Sequence, residues 1–194
     1  MGERCLGAGC MKANREESVT AAVFSSELGW MGLLWRDAVL TRVVFGHPSK
    51  SSAARGVGAS SAANASLSSD MKELVDRLRQ FARGVPDDFL DVRLDWSGRT
   101  PFQRAVLQCC RRIPYGEVVS YGELAQRAGS PRSARAVGNV MASNRTPLIV
   151  PCHRVVASGG VLGGFSAPGG ITMKQRLLTL EEGTSRRWSR RCMS

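Results

Sequence analysis

Histidine is nearly missing from this chain, with His47 and His153 the two in 194 residues. A histidine-rich metal centre is therefore excluded. Cys5 and Cys10 could be grouped with His47, but they lack the second close Cys or His pair that a zinc site needs, so no metal is expected. Long apolar runs are also lacking. The best of them, Val39 to Phe45, is broken by Thr41 and Arg42, and nothing approaches the roughly 20 apolar residues of a membrane span. The first 18 residues hold Glu3, Arg4, Lys12, Arg15, Glu16 and Glu17 with no apolar stretch, which argues against a secretory leader. The expectation is an intracellular, reducing compartment: nucleus in a eukaryote, cytoplasm in a bacterium or archaeon. The cysteines, Cys5, Cys10, Cys109, Cys110, Cys152 and Cys192, show no framework spacing and read as free thiols.

Acidic residues are scarce in one half only. Residues 1–98 carry 12 basic and 12 acidic side chains, whereas residues 99–194 carry 15 basic and four acidic, so the whole net charge of +11 sits in the second half. Lysine is scarce throughout, since 23 of the 27 basic residues are Arg and the rest are Lys12, Lys50, Lys72 and Lys174. Arg suits planar phosphate and base recognition, although genomic base composition produces the same bias. A nucleic-acid or acidic partner for the C-terminal half is the first expectation, with general solubility the competing reading.

The hydrophobic pattern gives an α+β chain. Short β-branched runs at Val19 to Phe24, Trp30 to Trp35 and Val39 to Phe45 predict a three-stranded meander. Residues 46–69 are dominated by Ser, Ala and Gly, a composition poor in core-forming side chains, and predict a flexible loop. Leu74, Val75, Leu78 and Phe81 have helical spacing after Asp70, with Gly84 beyond the end. Apolar and charged residues alternate from Phe89 to Trp96, predicting another strand. Thr100-Pro101-Phe102-Gln103 then opens a helix to about Arg112, with Thr as N-cap, Pro at the first position and Gln reaching back.

Ser120-Tyr121-Gly122-Glu123 repeats that cap ahead of a short helix through Ala128. Gly129 ends it, and a further helix is expected over about Arg132 to Ala142. Two helices joined through a minimal turn predict a helix-turn-helix. The second carries Ser133, Ala134, Ala136 and Gly138, with Arg132 and Arg135 its long side chains. So little bulk permits close approach to a DNA groove, and equally close packing against another helix.

Leu148 to Val156 sets Cys152 and His153 side by side between apolar β-branched runs. A thiol is a nucleophile as its thiolate, and at a pKa of about 8.5 it is only a few per cent ionised near neutrality. His153 and Arg154 could lower that value. Adjacency alone is weak, because consecutive side chains in an extended segment point apart. Gly159 to Ser166 supplies a glycine-rich loop with one aromatic, suited to closing over a planar base or to serving as an ordinary surface loop.

Pro151-Cys152-His153-Arg154-Val155, Asn144, Tyr115 to Tyr121, Ser133 to Gly138 and the Leu177-Leu178 to Glu181 helix end together resemble the O6-alkylguanine-DNA alkyltransferase (methylated-DNA–protein-cysteine methyltransferase) family. The resemblance covers about residues 95–183 in family order. It implies a ribonuclease-H-like antiparallel-sheet scaffold over 1–96 and a mainly helical DNA-binding and alkyl-acceptor domain over 97–194, with a basic tail at 184–194. It also implies single-turnover repair without a cofactor, in which a monomer flips O6-alkylguanine, or O4-alkylthymine, out of double-stranded DNA and takes the alkyl group onto a cysteine.

In that reading Cys152 is the acceptor, His153 takes its proton, Glu181 orients the imidazole, Asn144 fixes the turn and Tyr121 donates to the departing purine. Arg135 fills the gap in the base stack, with Ser120, Arg132, Ala134 and Gly138 beside the DNA. Val155, Phe165, Ser166, Pro147 and Gly163 line the pocket, Pro147 resembling a proline of members that accept bulky adducts.

The chain departs from the family pattern in places. Phe165 stands where many members have Tyr, and Ala167 to Gly170 is two residues longer than the mammalian pattern. His47 and the early cysteines do not match the zinc ligands of some members. Counting forward from Leu177-Leu178 selects Glu181 over Glu182. The competing reading is a non-catalytic helix-turn-helix protein that binds damaged DNA or regulates. Its damage-binding form lacks the cysteine, and its regulatory form reads bases with polar side chains that Ala134, Ala136 and Gly138 do not supply. A turnover thiol hydrolase built on Cys152 and His153 is the third.

Overall fold

A computed structural model describes residues 18–59 and 67–191. Three antiparallel strands, β1 (Val19–Ser26), β2 (Gly29–Arg36) and β3 (Val39–His47), form the sheet in that order. Asp37 and Ala38 both take positive φ, 48° and 62°, between β2 and β3, the two-residue turn whose twist matches that of its strands.

One face of this sheet carries Phe24, Met31, Leu33, Trp35, Leu40 and Phe45 against Leu74, Leu78 and Phe81 of helix α2 (Ser69–Ala82). The other face is covered as well, and here the expected 46–69 loop is corrected. Residues Lys50–Val57 form helix α1, capped by reciprocal Ser49–Ser52 hydrogen bonds and ended by Gly58 at φ 77°. Ala53 and Val57 of α1 pack on Val23, and Gly32 leaves the room, because a Cβ there would stand 3.0 Å from Val57 Cβ and 3.2 Å from the Ala53 carbonyl. Small side chains here signal a helix lying close to the sheet. Residues 60–66 fall outside the described residues.

The strand expected over Phe89 to Trp96 is also corrected. The segment is a turn at residues 89–92 followed by a connector with a single parallel bridge, Leu40 to Leu94. Its acids serve other purposes: Asp91 holds Arg77 at 2.6 Å, joined by Asp87 just ahead of the segment at 2.7 Å, and Asp95 accepts from Ser97. Phe89, at φ 51°, is turned into the core.

Helix α3 (Pro101–Arg111) has the Thr100–Gln103 capping box and Pro in its first turn. A two-residue strand β4 (Val119–Ser120) leads into α4 (Tyr121–Arg127), capped by Ser120 and Glu123. Residues 128–133 connect to α5 (Ala134–Ala142), which begins two residues later than expected and buries Val137, Val140 and Met141. Strand β5 (Val155–Val156) pairs in parallel with β4. Helix α6 (Gly170–Arg191) continues past the expected end near Glu181. The buried apolar cluster is continuous from Ala22 to Leu177, so the division expected at residue 96 crosses a shared core.

Candidate active site

The β4–β5 pair assembles the site. Its register, Val119 with Val155 and Ser120 with Val156, ties the start of α4 to the strand that follows the Cys152–Arg154 turn, and Tyr121 and Cys152 line one cavity. That turn is a single 3-10 turn, Cys152–Arg154, entered from Pro151. In place of the extended segment that adjacency suggested, Cys152 and His153 therefore sit in a tight turn. Asn144 braces it from below, donating from Nδ2 to the Val150 carbonyl at 2.8 Å and accepting from Thr146 N at 3.1 Å.

Cys152 lines a cavity of about 500 Å³ with Tyr121, Gly138, Met141, Gly163 and Phe165. Ala142, Gly164 and Ser166 complete its wall. Gly163 is there for contact: a Cβ on it would lie 2.8 Å from the Tyr121 hydroxyl. Two expected pocket residues do not line this cavity. Pro147 lines a neighbouring cavity of about 540 Å³. Val155 is fully buried, and its carbonyl accepts from Lys174 Nζ at 2.6 Å.

His153 Nε2 lies 2.8 Å from Glu181 Oε1, with both side chains buried. Arg154 grips the same carboxylate, Nε to Oε2 at 3.0 Å and Nη2 to Oε1 at 2.9 Å, while Gly116 N donates to Oε2 at 3.0 Å. Burial and the neighbouring Arg154 and Lys174 charges hold His153 below its ordinary pKa, against the pull of Glu181. Glu181 is held at about 2 against its own burial by His153 and Arg154. The two cannot both draw on a charged imidazole. Arg154, permanently charged, is the cation that answers Glu181, and His153 is neutral. With Nε2–H donating to the carboxylate, Nδ1 carries the lone pair, and that buried atom has no hydrogen-bond partner.

The lowering of the cysteine pKa that His153 and Arg154 could have given is not what the site shows. Burial pushes the Cys152 thiol up, opposed by a hydrogen bond from Asn144 and the charge of Lys174. His153 and Arg154 do not reverse this, since one is neutral and the other is matched by Glu181. The resting group is a thiol. Burial likewise raises the Tyr121 phenol, which stays protonated.

Lys174 is the residue that sequence reasoning missed. It is wholly buried, and its ammonium sits 5.9 Å from the centre of the Tyr121 ring. Two signals mark it. It is one of four lysines in an arginine-rich chain, and it falls three, four and seven residues before Leu177, Leu178 and Glu181, on the buried stripe of α6. Glu181 is buried where Glu182 is exposed. Arg132, Arg135 and Ala136 are exposed at the start of α5, Ala134 and Gly138 are half-buried, and Ser120 is engaged as the α4 cap. Cys109, Cys110 and Cys152 are free thiols, whereas Cys5, Cys10, Cys192 and the tail from residue 192 lie outside the described residues. Among the described residues no cluster of His, Cys, Asp or Glu could hold a metal ion, and no helix is long and apolar enough to cross a membrane.

The model of the 6-O-methylguanine DNA methyltransferase DNA-binding domain matches residues 101–183. Over 112 residues the chain is 44% identical to the methylated-DNA–protein-cysteine methyltransferase of Methanothermobacter thermautotrophicus, covering 57% of this chain and 61% of that protein. Over 106 residues it is 50% identical to the protein of the same name from Methanopyrus kandleri, covering 54% of this chain and 75% of that one. The chain belongs to the methylated-DNA–protein-cysteine methyltransferase family. The family fold extends beyond the matched sequence: a crystal structure of Mycobacterium tuberculosis OGT in complex with DNA aligns at a TM-score of 0.66 and 34% identity, covering 84% of this chain and 93% of that one. The stretch matched to the family model contains Tyr121, Asn144, Cys152, His153, Lys174 and Glu181, while the match spans less than two thirds of the M. thermautotrophicus relative.

Proposed function

We propose that this chain repairs DNA directly, moving the alkyl group of O6-alkylguanine, and of O4-alkylthymine, from duplex DNA onto Cys152 in a single irreversible turnover. The observation that carries the reading is the buried Cys152 thiol at the wall of a base-sized cavity, beside an imidazole whose remaining nitrogen is free to take a proton. The Cys152 proton passes to His153 Nδ1, directly or through a water. Sγ then attacks the carbon bound to O6, so the S–C bond forms as the C–O bond breaks. Charge left on the purine is met by a hydrogen bond from the Tyr121 hydroxyl, with the Lys174 ammonium close behind the ring. The imidazolium rests against Glu181. A thioether has no good leaving group, so the chemistry stops there.

Delivery of the base falls to α4 and α5, used as a helix-turn-helix on a scaffold of ribonuclease-H-like kind. Arg135, Ala136 and Asn139 are exposed on α5, a face thin enough for the minor groove, with Arg135 filling the place of the flipped nucleotide and Arg132, Ala134 and Gly138 alongside. Mass spectrometry after incubation with an O6-methylguanine duplex tests the whole reading. One methyl group is expected on the Cys152 peptide, with guanine restored and one equivalent consumed. Cys152→Ala is expected to bind the duplex and transfer nothing. Repeated turnover, or a methyl group elsewhere, overturns the proposal.

A further inference from the structure

The larger cavity beside the site does not contain Cys152. It lies where the exposed end of β3 meets the turn after α5, and Arg42, Phe45, His47, Ser143 and Arg145 are among its walls. The two sides are fastened together, since Val43 N donates to the Arg145 carbonyl at 2.8 Å. A third guanidinium arrives from the connector before α3: Arg99 donates to the Ser143 carbonyl at 2.8 Å and to its hydroxyl at 3.2 Å. Segments far apart in sequence thus bring Arg42 and Arg145 to one cleft, with Arg99 held against its Ser143 wall.

These cations are poorly matched by acid. Asp95 is within charge range of Arg36, Arg99 and Arg145, and its two oxygens are already taken by Ser97, from N at 2.7 Å and Oγ at 2.9 Å. Burial and the neighbouring Arg145 lower the Arg99 pKa, the mark of like charges held close. Arg42 and Arg145 are themselves exposed. Holding arginines together without an equal number of carboxylates costs stability, and an anion entering the cleft offsets that cost.

We infer that this cleft binds a backbone phosphate of the DNA strand whose base enters the Cys152 cavity, so that the N-terminal sheet takes part in the DNA footprint. Ala142, Phe165 and Ser166 border both cavities, which places the arginines beside the mouth a flipped nucleotide must use. The guanidinium fork suits a phosphodiester, which stays ionised at every working pH. The inference rests on the DNA-repair reading above, and its test separates the two.

The test is an Arg42→Gln/Arg145→Gln variant compared with wild type in two assays. Affinity for an undamaged duplex is measured across 50–200 mM salt, where each lost phosphate contact lowers the slope of log affinity against log salt by about 0.9. A fall of about 0.9 is expected for the one phosphate lost, against a smaller one for Arg83→Gln, which removes a charge beside the β1–β2 turn. The rate of methyl transfer from free O6-methylguanine base to Cys152 is measured in parallel and is expected to be unchanged, which also shows that the variant is folded. An unchanged salt slope overturns the phosphate cleft, and so does an equal loss on free base, which would mean that the arginines shape the reacting pocket. Wild type that gains no methyl group from free O6-methylguanine or from an O6-methylguanine duplex overturns the repair reading, while the salt slope still reports on the cleft.

Discussion

At the residue scale the site turns on one carboxylate shared by two neighbours. Glu181 takes His153 on Oε1 and Arg154 on both oxygens. The arrangement leaves the imidazole neutral, oriented and basic at Nδ1. It also couples the site to acid stability. A carboxyl held at about 2 binds its proton less readily in the folded chain than in the unfolded one. Its contribution is therefore complete above the ordinary carboxylate range and disappears as pH falls from about 4.5 toward 2. His153, depressed by burial, adds a loss of stability as pH drops below its ordinary 6.5. Glu181→Gln strands Arg154 in the interior, and removing one partner of a buried ion pair costs about 3–5 kcal/mol. Urea denaturation from pH 7 to 3 is expected to show that loss at neutrality and a flatter pH dependence below 4.5. A variant as stable as wild type would mean that the pair is solvated.

At the element scale the lesson is how differently the two halves could be read. Caps, spacing and motif order in the C-terminal half were legible: Thr100–Gln103 and Ser120–Glu123 are present as capping boxes. The chemistry written in the sequence around Cys152 depends on local turns. Helix α1 was not legible, because its burial is achieved with Ala53 and Val57 against Gly32, and small residues give no apolar periodicity. Nor was the connector over Phe89 to Trp96, whose Asp91 pairs with Arg77 and whose Asp95 accepts from Ser97. Lys174 escaped because its meaning depends on Tyr121 and Val155, both distant in sequence. If α1 rests on Gly32, then Gly32→Ala must displace it: the new Cβ would stand 3.0 Å from Val44 Cγ2 and 3.0 Å from Val57 Cβ. Such overpacking costs about 1–3 kcal/mol. A lower urea midpoint at unchanged slope is the expected result, and an unaltered midpoint would show that α1 does not pack there.

At the scale of the whole molecule the neutral and basic halves are joined by more than their connector. The core runs without a break from β1 to α6. Phe45 of β3 meets Phe165 of the glycine-rich loop edge-on at 6.2 Å, Val43 N is tied to the Arg145 carbonyl, and Arg176 of α6 donates to the Glu27 carbonyl in the β1–β2 turn. Two domains meeting across a polar seam would unfold in two steps, whereas a shared apolar core couples them. Trp30, Trp35 and Trp96 lie in the first half, so in a Trp188→Phe background tryptophan fluorescence follows that half alone. Burial of Cys152 against a thiol reagent follows the other. The two probes are expected to give coincident denaturation curves with one midpoint. Exposure of Cys152 at lower denaturant, with fluorescence still native, would instead show the acceptor half opening on a scaffold that stays folded. The N-terminal sheet would then be a carrier, where the shared core makes it part of what holds Cys152 in place.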